Sequence, residues 1–175
     1  PRVREHRSTP WVSVVVPALN EEAVIGTCLE SLARQSMPRD QFEVIVVDNG
    51  STDDTEGVAK SFRDRLTLSV LRKTGAPVSA VRNRGADVAR GEYLAFLDAD
   101  CVAGRDWLKL ACTSLDGQPD TVLGAFYRVP KGCPWTPQAW YGDQYWLRSG
   151  NVSYVPASNL FLRRTAFLAL GGFDE

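Results

Sequence analysis

Two apolar periodicities alternate along the chain. Residues 12–16 (VSVVV) form a β-branched run that Pro17 is expected to stop, the mark of a buried strand ending in a loop. Behind it Val24, Cys28 and Leu32 recur on one helical face beside Ile25 and Leu29, with Asn20 placed to cap that helix and Glu21 and Glu22 in its first turn. The pattern then repeats. Residues 43–47 (EVIVV) read as a strand, and Ser51 or Thr52 as the cap of a helix opened by Asp53 and Asp54 and apolar at Val58, Ala59 and Phe62. Residues 66–71 alternate as a third strand, and residues 78–90 read as a helix with Val81, Gly85 and Val88 on one face. Gly91 ends that helix, and residues 93–97 (YLAFL) make a fourth strand. Strands alternating with helices of this length imply right-handed crossovers and an α/β, Rossmann-like, mostly parallel sheet flanked by helices.

Past Asp100 the rhythm changes. Residues 105–115 pattern as a helix, 121–129 as a strand, 152–162 as one or two strands, and 164–170 as a short helix closed by Gly171 and Gly172. The stretch 131–137 (KGCPWTP) is a connector, since too little chain follows it to build a second core. One domain over residues 12–175, preceded by an extension at 1–11, is therefore expected.

Composition narrows the class without naming a function. The 175 residues are 44% apolar and 23% charged, which excludes disordered and fibrous chains. Twenty Lys and Arg against 21 Asp and Glu leave a formal charge of -1, so no global field recruits nucleic acid or an anionic membrane. Cys28, Cys101, Cys112 and Cys133 lack metal-type spacing and read as free thiols of a reducing compartment, hence a cytoplasmic location. His6 is the single histidine, too few for a histidine metal site. No run approaches a membrane span, so membrane association, at a cytoplasmic face, is expected only through segments outside these residues.

In an open parallel sheet, ligands bind outside the carboxyl ends of the strands where strand order reverses. The residues just after the strands are PALNEE, DNGSTDD and DADC, so polar and acidic groups gather at one edge. If the chain stays extended through Asp98 and Asp100, both carboxylates face one volume, where like charges either raise a pKa or recruit a cation. Mn²⁺ or Mg²⁺ suits the second case, taking few carboxylates and filling its other positions with water and substrate phosphates. The competing reading is a solvated loop in which an Asp caps the helix near Arg105. Asp48 is positioned to accept hydrogen bonds from a nucleoside, whereas turn chemistry accounts for residues 49–53. Arg82 is placed to reach a ligand phosphate or base, with Arg84 and Arg90 on a solvated face. Glu21 either contacts a nucleoside or favours a helix N-terminus.

Three segments, VSVVVPALNEE, EVIVVDNGSTDDT and AVRNRGADVARGEYLAFLDADC, together resemble the nucleotide-sugar half of a family 2 glycosyltransferase of the GT-A fold. PASNLFLRRTAFLALGGFDE resembles that family's acceptor-side segment. The resemblance implies a metal-dependent, inverting hexosyltransferase of cell-wall or polysaccharide biosynthesis. It would move a sugar from a UDP- or GDP-type donor to a hydroxyl on a saccharide, lipid or other acceptor. It further implies that Pro17, Leu19 and Glu21 line the nucleoside pocket, Asp48 binds the base, Asp98 contacts ribose or metal-bound diphosphate, and Asp100 is the metal ligand of a DXD motif. Arg82 falls in an ARN-like element in which Val81 replaces the usual small residue. The family's general base is expected beyond Glu175, with Asp174 and Glu175 belonging to the motif that precedes it, so these residues alone are expected to be inactive or weak in transfer.

Two other functions share parts of this pattern. A nucleotidyltransferase making a nucleotide-sugar would use the same sheet and acidic edge, but opens with a glycine-rich loop after its first strand, and PALNEE has no glycine. A receiver-like Mg²⁺- or nucleotide-binding module would not need the GGFDE tail or the aromatic stretch 135–146 (WTPQAWYGDQYW), which serves either ring stacking or half-buried packing.

Overall fold

The structure is a computed structural model, and it describes residues 9–118, 120–124 and 155–175. The expected strand at 121–129 beyond Gly124, the connector 131–137, the aromatic stretch 135–146, the start of the 152–162 element, His6 and Cys133 lie outside the described residues.

Within them the chain alternates as its periodicity demands: β1 (Val12–Ala18), α1 (Ile25–Ala33), a 3₁₀ turn (Arg39–Gln41), β2 (Phe42–Asp48), α2 (Thr55–Lys60), β3 (Leu68–Arg72), α3 (Val78–Val88) and β4 (Tyr93–Leu97). Next come α4 (Trp107–Leu115), β5 (Leu123–Gly124), β6 (Asn159–Arg163) and α5 (Arg164–Ala169). The sheet runs β3-β2-β1-β4-β6-β5, parallel through β3, β2, β1 and β4, with β6 antiparallel to both β4 and β5.

The central strands read as unbroken apolar runs because both of their faces are covered. Val12, Val14, Val16, Val44, Val46, Tyr93 and Ala95 pack with Leu29 and Leu32 of α1 and with Leu108 and Leu115 of α4. Val15, Ile45, Val47, Leu94 and Phe96 pack on the other face with Val81 and Ala86 of α3 and with Phe167 of α5. At the amino edge Glu43, only 4% exposed, accepts hydrogen bonds from Ser13 Oγ (2.7 Å), the Arg90 backbone N–H (2.8 Å) and Arg90 Nη2 (2.7 Å). Arg90 is thus the counter-ion of a buried carboxylate and not merely a solvated charge, while Arg84 is exposed as expected.

Pro17 does not end β1 as expected. Ala18 accepts from the Asn49 N–H on the β2 side, so backbone alternation turns Pro17 toward β4. The β1–β4 ladder has already closed at Val15↔Phe96, and the missing N–H leaves no bond unmade. The helix starts also differ: α1 begins at Ile25 after Val24, and α2 at Thr55 after Asp54, neither with a side-chain cap, because Asn20, Ser51 and Thr52 are bonded across loops instead. No helix among the described residues is long and apolar enough to cross a membrane.

Gly85 marks a close approach of α3 to the sheet: an added Cβ would lie 2.3 Å from Val15 Cγ1. Gly85→Ala is expected to destabilise by about 1–3 kcal/mol through overpacking, read as a lower denaturant midpoint at unchanged m-value. A midpoint at or above that of the parent would show that this interface yields freely.

Candidate functional site

Strand order reverses between β1 and β4, and there the carboxyl edge opens. β1 pairs with β4 only over residues 12–15 but with β2 as far as Ala18↔Asp48, so the two strands part beyond Phe96. Pro17 and Ala18 sit on one side of this crevice and Asp98 follows β4 on the other. Pro17 is buried, whereas Leu19 is 49% exposed at the rim.

Asp48, 2% exposed, accepts from the N–H groups of Gly50 (3.2 Å) and Ser51 (3.1 Å), and Arg72 Nε lies 3.7 Å away. Its carboxylate therefore shapes the turn that follows it, a role the sequence reading gave only to residues 49–53. Asn49 ties the same turn to the loop before α3: its Nδ2 donates to Ala76 O (2.9 Å) and its Oδ1 accepts from Ala76 N–H (3.0 Å).

The DAD triplet is not extended. β4 ends at Leu97, and the Cys101 N–H donates to Asp98 O (3.0 Å), closing a turn over residues 98–101. The expected side-by-side projection of an extended strand thus gives way to a turn. Neither aspartate caps α4, whose N-cap is Asp106, a residue that accepts from Ser36 Oγ at 2.6 Å. Asp98 Oδ1 instead accepts from Arg82 Nη2 at 2.7 Å, an ion pair with Arg82 12% and Asp98 34% exposed. Arg82 is therefore joined to the acidic edge through Asp98, and its Nε is buried without a partner among the described residues. Asp100 is exposed, receives the Cys101 thiol at 3.5 Å, and makes no ion pair among the described residues.

The charges of Glu21, Asp98 and Asp100 act on one another. Partial burial, then Asp100, Asp53 and Asp98, hold the Glu21 carboxyl above its ordinary value. Cys28, whose thiol points to Asp98 O at 3.7 Å, and Cys101 are both pushed up to about 12, by burial first and then by neighbouring negative groups including Asp98 and Asp100. The edge thus carries more negative charge than Arg82 offsets. Its donors are hard carboxylate oxygens from two side chains, and no larger cluster of metal-binding side chains is present among the described residues. That set fits Mg²⁺ or Mn²⁺ held jointly by protein and substrate phosphates.

Two further features escaped the sequence reading. Asn83, next to Arg82, donates from Nδ2 to Phe173 O (2.9 Å) and Glu175 Oε1 (3.0 Å) and accepts at Oδ1 from Phe173 N–H (2.9 Å). Gly172, at φ +81°, passes so close that a Cβ would lie 2.7 Å from Asn83 Oδ1. The second feature is a set of bonds between residues 20–22 and 51–55. A positive φ at Asn20 is the one clue to it that residue type offers, since Asn tolerates that conformation.

A family model described as glycosyl transferase family 2 matches residues 13–170. Glycosyltransferase AglE of Haloferax volcanii is 36% identical over 118 residues, covering 66% of this chain and 38% of that protein. The crystal structure of Staphylococcus aureus TarS 1–349 in complex with UDP superposes at TM-score 0.77 and 28% identity, over 93% of this chain and 50% of that one. Mannosyltransferase PcManGT from Pyrobaculum calidifontis, in complex with GDP-Man and Mn²⁺, gives a TM-score of 0.79 at 25% identity, over 95% and 48% of the two chains. The fold is the GT-A arrangement expected from the sequence. The chain spans half or less of the length of each of these relatives.

Because the folded state raises the Glu21 pKa, it binds that proton more tightly than the unfolded chain, and stability gains as pH falls through the raised value. Glu21→Gln is expected to raise the melting temperature at pH 7 and to remove this gain toward lower pH; a lower melting temperature at pH 7 would contradict it. With the thiol near 12, Cys101 is expected to react with iodoacetamide at pH 8 at least about a hundredfold more slowly than free cysteine. Mn²⁺ should accelerate that reaction by offsetting Asp100, and labelling at the free-cysteine rate would refute the assignment.

Proposed function

Because this chain belongs to glycosyl transferase family 2, we propose that it holds a nucleoside-diphosphate sugar, UDP- or GDP-linked, in the crevice between β1 and β4. The sugar passes to a hydroxyl of a saccharide, lipid or other acceptor. The observation that carries this reading is the gathering of Glu21, Asp98, Asp100 and Arg82 at the point where strand order reverses. The relatives solved with UDP and with GDP-Man support the donor class.

The nucleoside lies against Pro17, Leu19 and Glu21. Asp48, preoriented by the N–H groups of Gly50 and Ser51, accepts from the base. Arg82 holds Asp98 in place beside the ribose and diphosphate, so the acidic edge keeps its shape before the donor arrives. Asp100, with Asp98, would hold Mn²⁺ or Mg²⁺. When bound, such an ion neutralises the charge that develops on the diphosphate leaving group.

Transfer inverts the anomeric centre in a single displacement, with the acceptor hydroxyl attacking the face opposite the diphosphate and losing its proton to a general base. Neither Asp174 nor Glu175 is assigned that role; the Glu175 carboxylate is already engaged by Asn83. The proposed reaction is cytoplasmic, a reading that the unbridged thiols of Cys28 and Cys101 support.

Calorimetric titration tests the donor and metal assignments together. The chain is expected to bind UDP or GDP at least about tenfold more tightly with Mn²⁺ than without it. Asp100→Ala should remove that difference and leave the far-UV circular dichroism unchanged. Nucleotide affinity indifferent to both metal and substitution would sink the metal assignment.

A further inference from the structure

Between β1 and β2 the two loops of the carboxyl edge are laced together in both directions. From the first loop, Asn20 N–H donates to Ser51 Oγ (2.9 Å), Glu21 N–H to Thr55 Oγ1 (2.8 Å) and Glu22 N–H to Asp53 Oδ2 (3.1 Å). From the second, Thr52 N–H donates to Asn20 Oδ1 (2.8 Å) and Asp54 N–H to Glu22 Oε2 (2.8 Å). Each loop thus accepts from backbone N–H groups of the other, while the Thr55 N–H that opens α2 donates to Asp53 Oδ1 of its own loop (3.1 Å).

Asn20 is the hinge of this lacing. Its φ of 56° makes it the one residue other than glycine in the left-handed region among the described residues, a conformation that persists only where surroundings over-determine it. The turned backbone lets one residue both donate from its N–H to Ser51 and accept at its Oδ1 from Thr52. Ser51 continues the line, since its own N–H donates to Asp48 Oδ1 at 3.1 Å. A continuous hydrogen-bonded path therefore joins Asn20 to Asp48, and Asn20 stands between Leu19 and Glu21.

We infer that Asn20 is a positioning residue for the nucleoside end of the donor: through Ser51 and Thr52 it fixes the Leu19–Glu21 wall against Asp48 before any ligand binds. The inference rests on the donor site proposed above. Without the acceptor at Oδ1 the Thr52 N–H loses its partner and the Asn20 end of the lacing loosens, so the Leu19–Glu21 wall must be ordered when the nucleotide binds, which weakens affinity. The diphosphate end, at Asp98 and Asp100 beyond β4, has no part in the lacing and keeps its affinity.

The test compares UDP and GDP with inorganic pyrophosphate, each in Mn²⁺, by titration calorimetry on the whole 175-residue chain. The variants are Asn20→Ala, Asn20→Gly, Asn20→Asp and Ser51→Ala. Glycine adopts the same φ without strain, so Asn20→Gly removes the side-chain bond and leaves the fold intact. Asn20→Gly, Asn20→Ala and Ser51→Ala are expected to weaken the nucleotide by about tenfold, with pyrophosphate unchanged within about twofold. Asn20→Asp, which keeps an acceptor oxygen, should recover most of the loss. Amide exchange at Thr52 should be slow in the parent chain and fast in Asn20→Gly. Parent-like nucleotide affinity in Asn20→Gly, or an equal loss for pyrophosphate, overturns the inference while the donor site stands. A parent chain that binds pyrophosphate but neither nucleotide overturns the donor reading, and the inference falls with it.

Discussion

β1 hydrogen-bonds to two neighbours, and it does so unevenly. It pairs with β4 over residues 12–15 and with β2 over residues 12–18. That inequality of three residues opens the sheet on one side of β1 while holding it closed on the other. Pro17 helps maintain the inequality, because a residue without an N–H cannot donate to β4. The crevice is thus a property of backbone pairing, set before any polar side chain is considered. The apolar residues on both faces of β1 and β4 then leave only the strand ends for polar groups, and the acidic residues have nowhere else to collect.

The two sides of the crevice are built by different means. On the β2 side, a lattice of loop hydrogen bonds, two of them accepted by the Asp53 and Glu22 carboxylates, joins the buried carboxylate of Asp48 to make a wall. On the β4 side, one ion pair, Arg82 with Asp98, stands among uncompensated carboxylates whose charge is felt as far as the Cys28 and Cys101 thiols. A ligand with an apolar, hydrogen-bonding end and a strongly anionic end therefore meets matching surroundings only in one orientation. The anionic end would be repelled by Asp100 unless a cation came with it.

Much of this was legible in the sequence, and the parts that were not share a cause. β1, β2, β4, α3 and the edge that collects PALNEE, DNGSTDD and DADC followed from periodicity, because burial on both faces of these strands leaves a strong one-dimensional signal. Bonds between segments distant in sequence leave none: Asn20 looked like a helix cap because Asn before an amphipathic run usually is one, and nothing local shows that its oxygen is taken by Thr52. Arg90 looked solvated for the same reason, its partner Glu43 lying on another strand. Asp98 and Asp100 were read as an extended pair by continuing β4 past its end, where the bond from Cys101 to Asp98 O turns the chain instead. Asn83 lacked any clue beyond its place next to Arg82, since its partners lie some ninety residues away.

The order of the sheet also bears on how the chain is made. β1 is made before the other described strands of this sheet and meets β2 about thirty residues later, but its bonds to β4 wait for about eighty. During synthesis VSVVV must therefore spend seconds with one flank of its backbone unpaired and apolar side chains on both faces. Contacts of such sequence separation form slowly. A half-made sheet of β1, β2 and β3 exposes an apolar edge to other nascent chains, and only the arrival of YLAFL closes it. The strand that defines the crevice in the finished protein is thus an edge open to aggregation and to chaperones while the chain is being made.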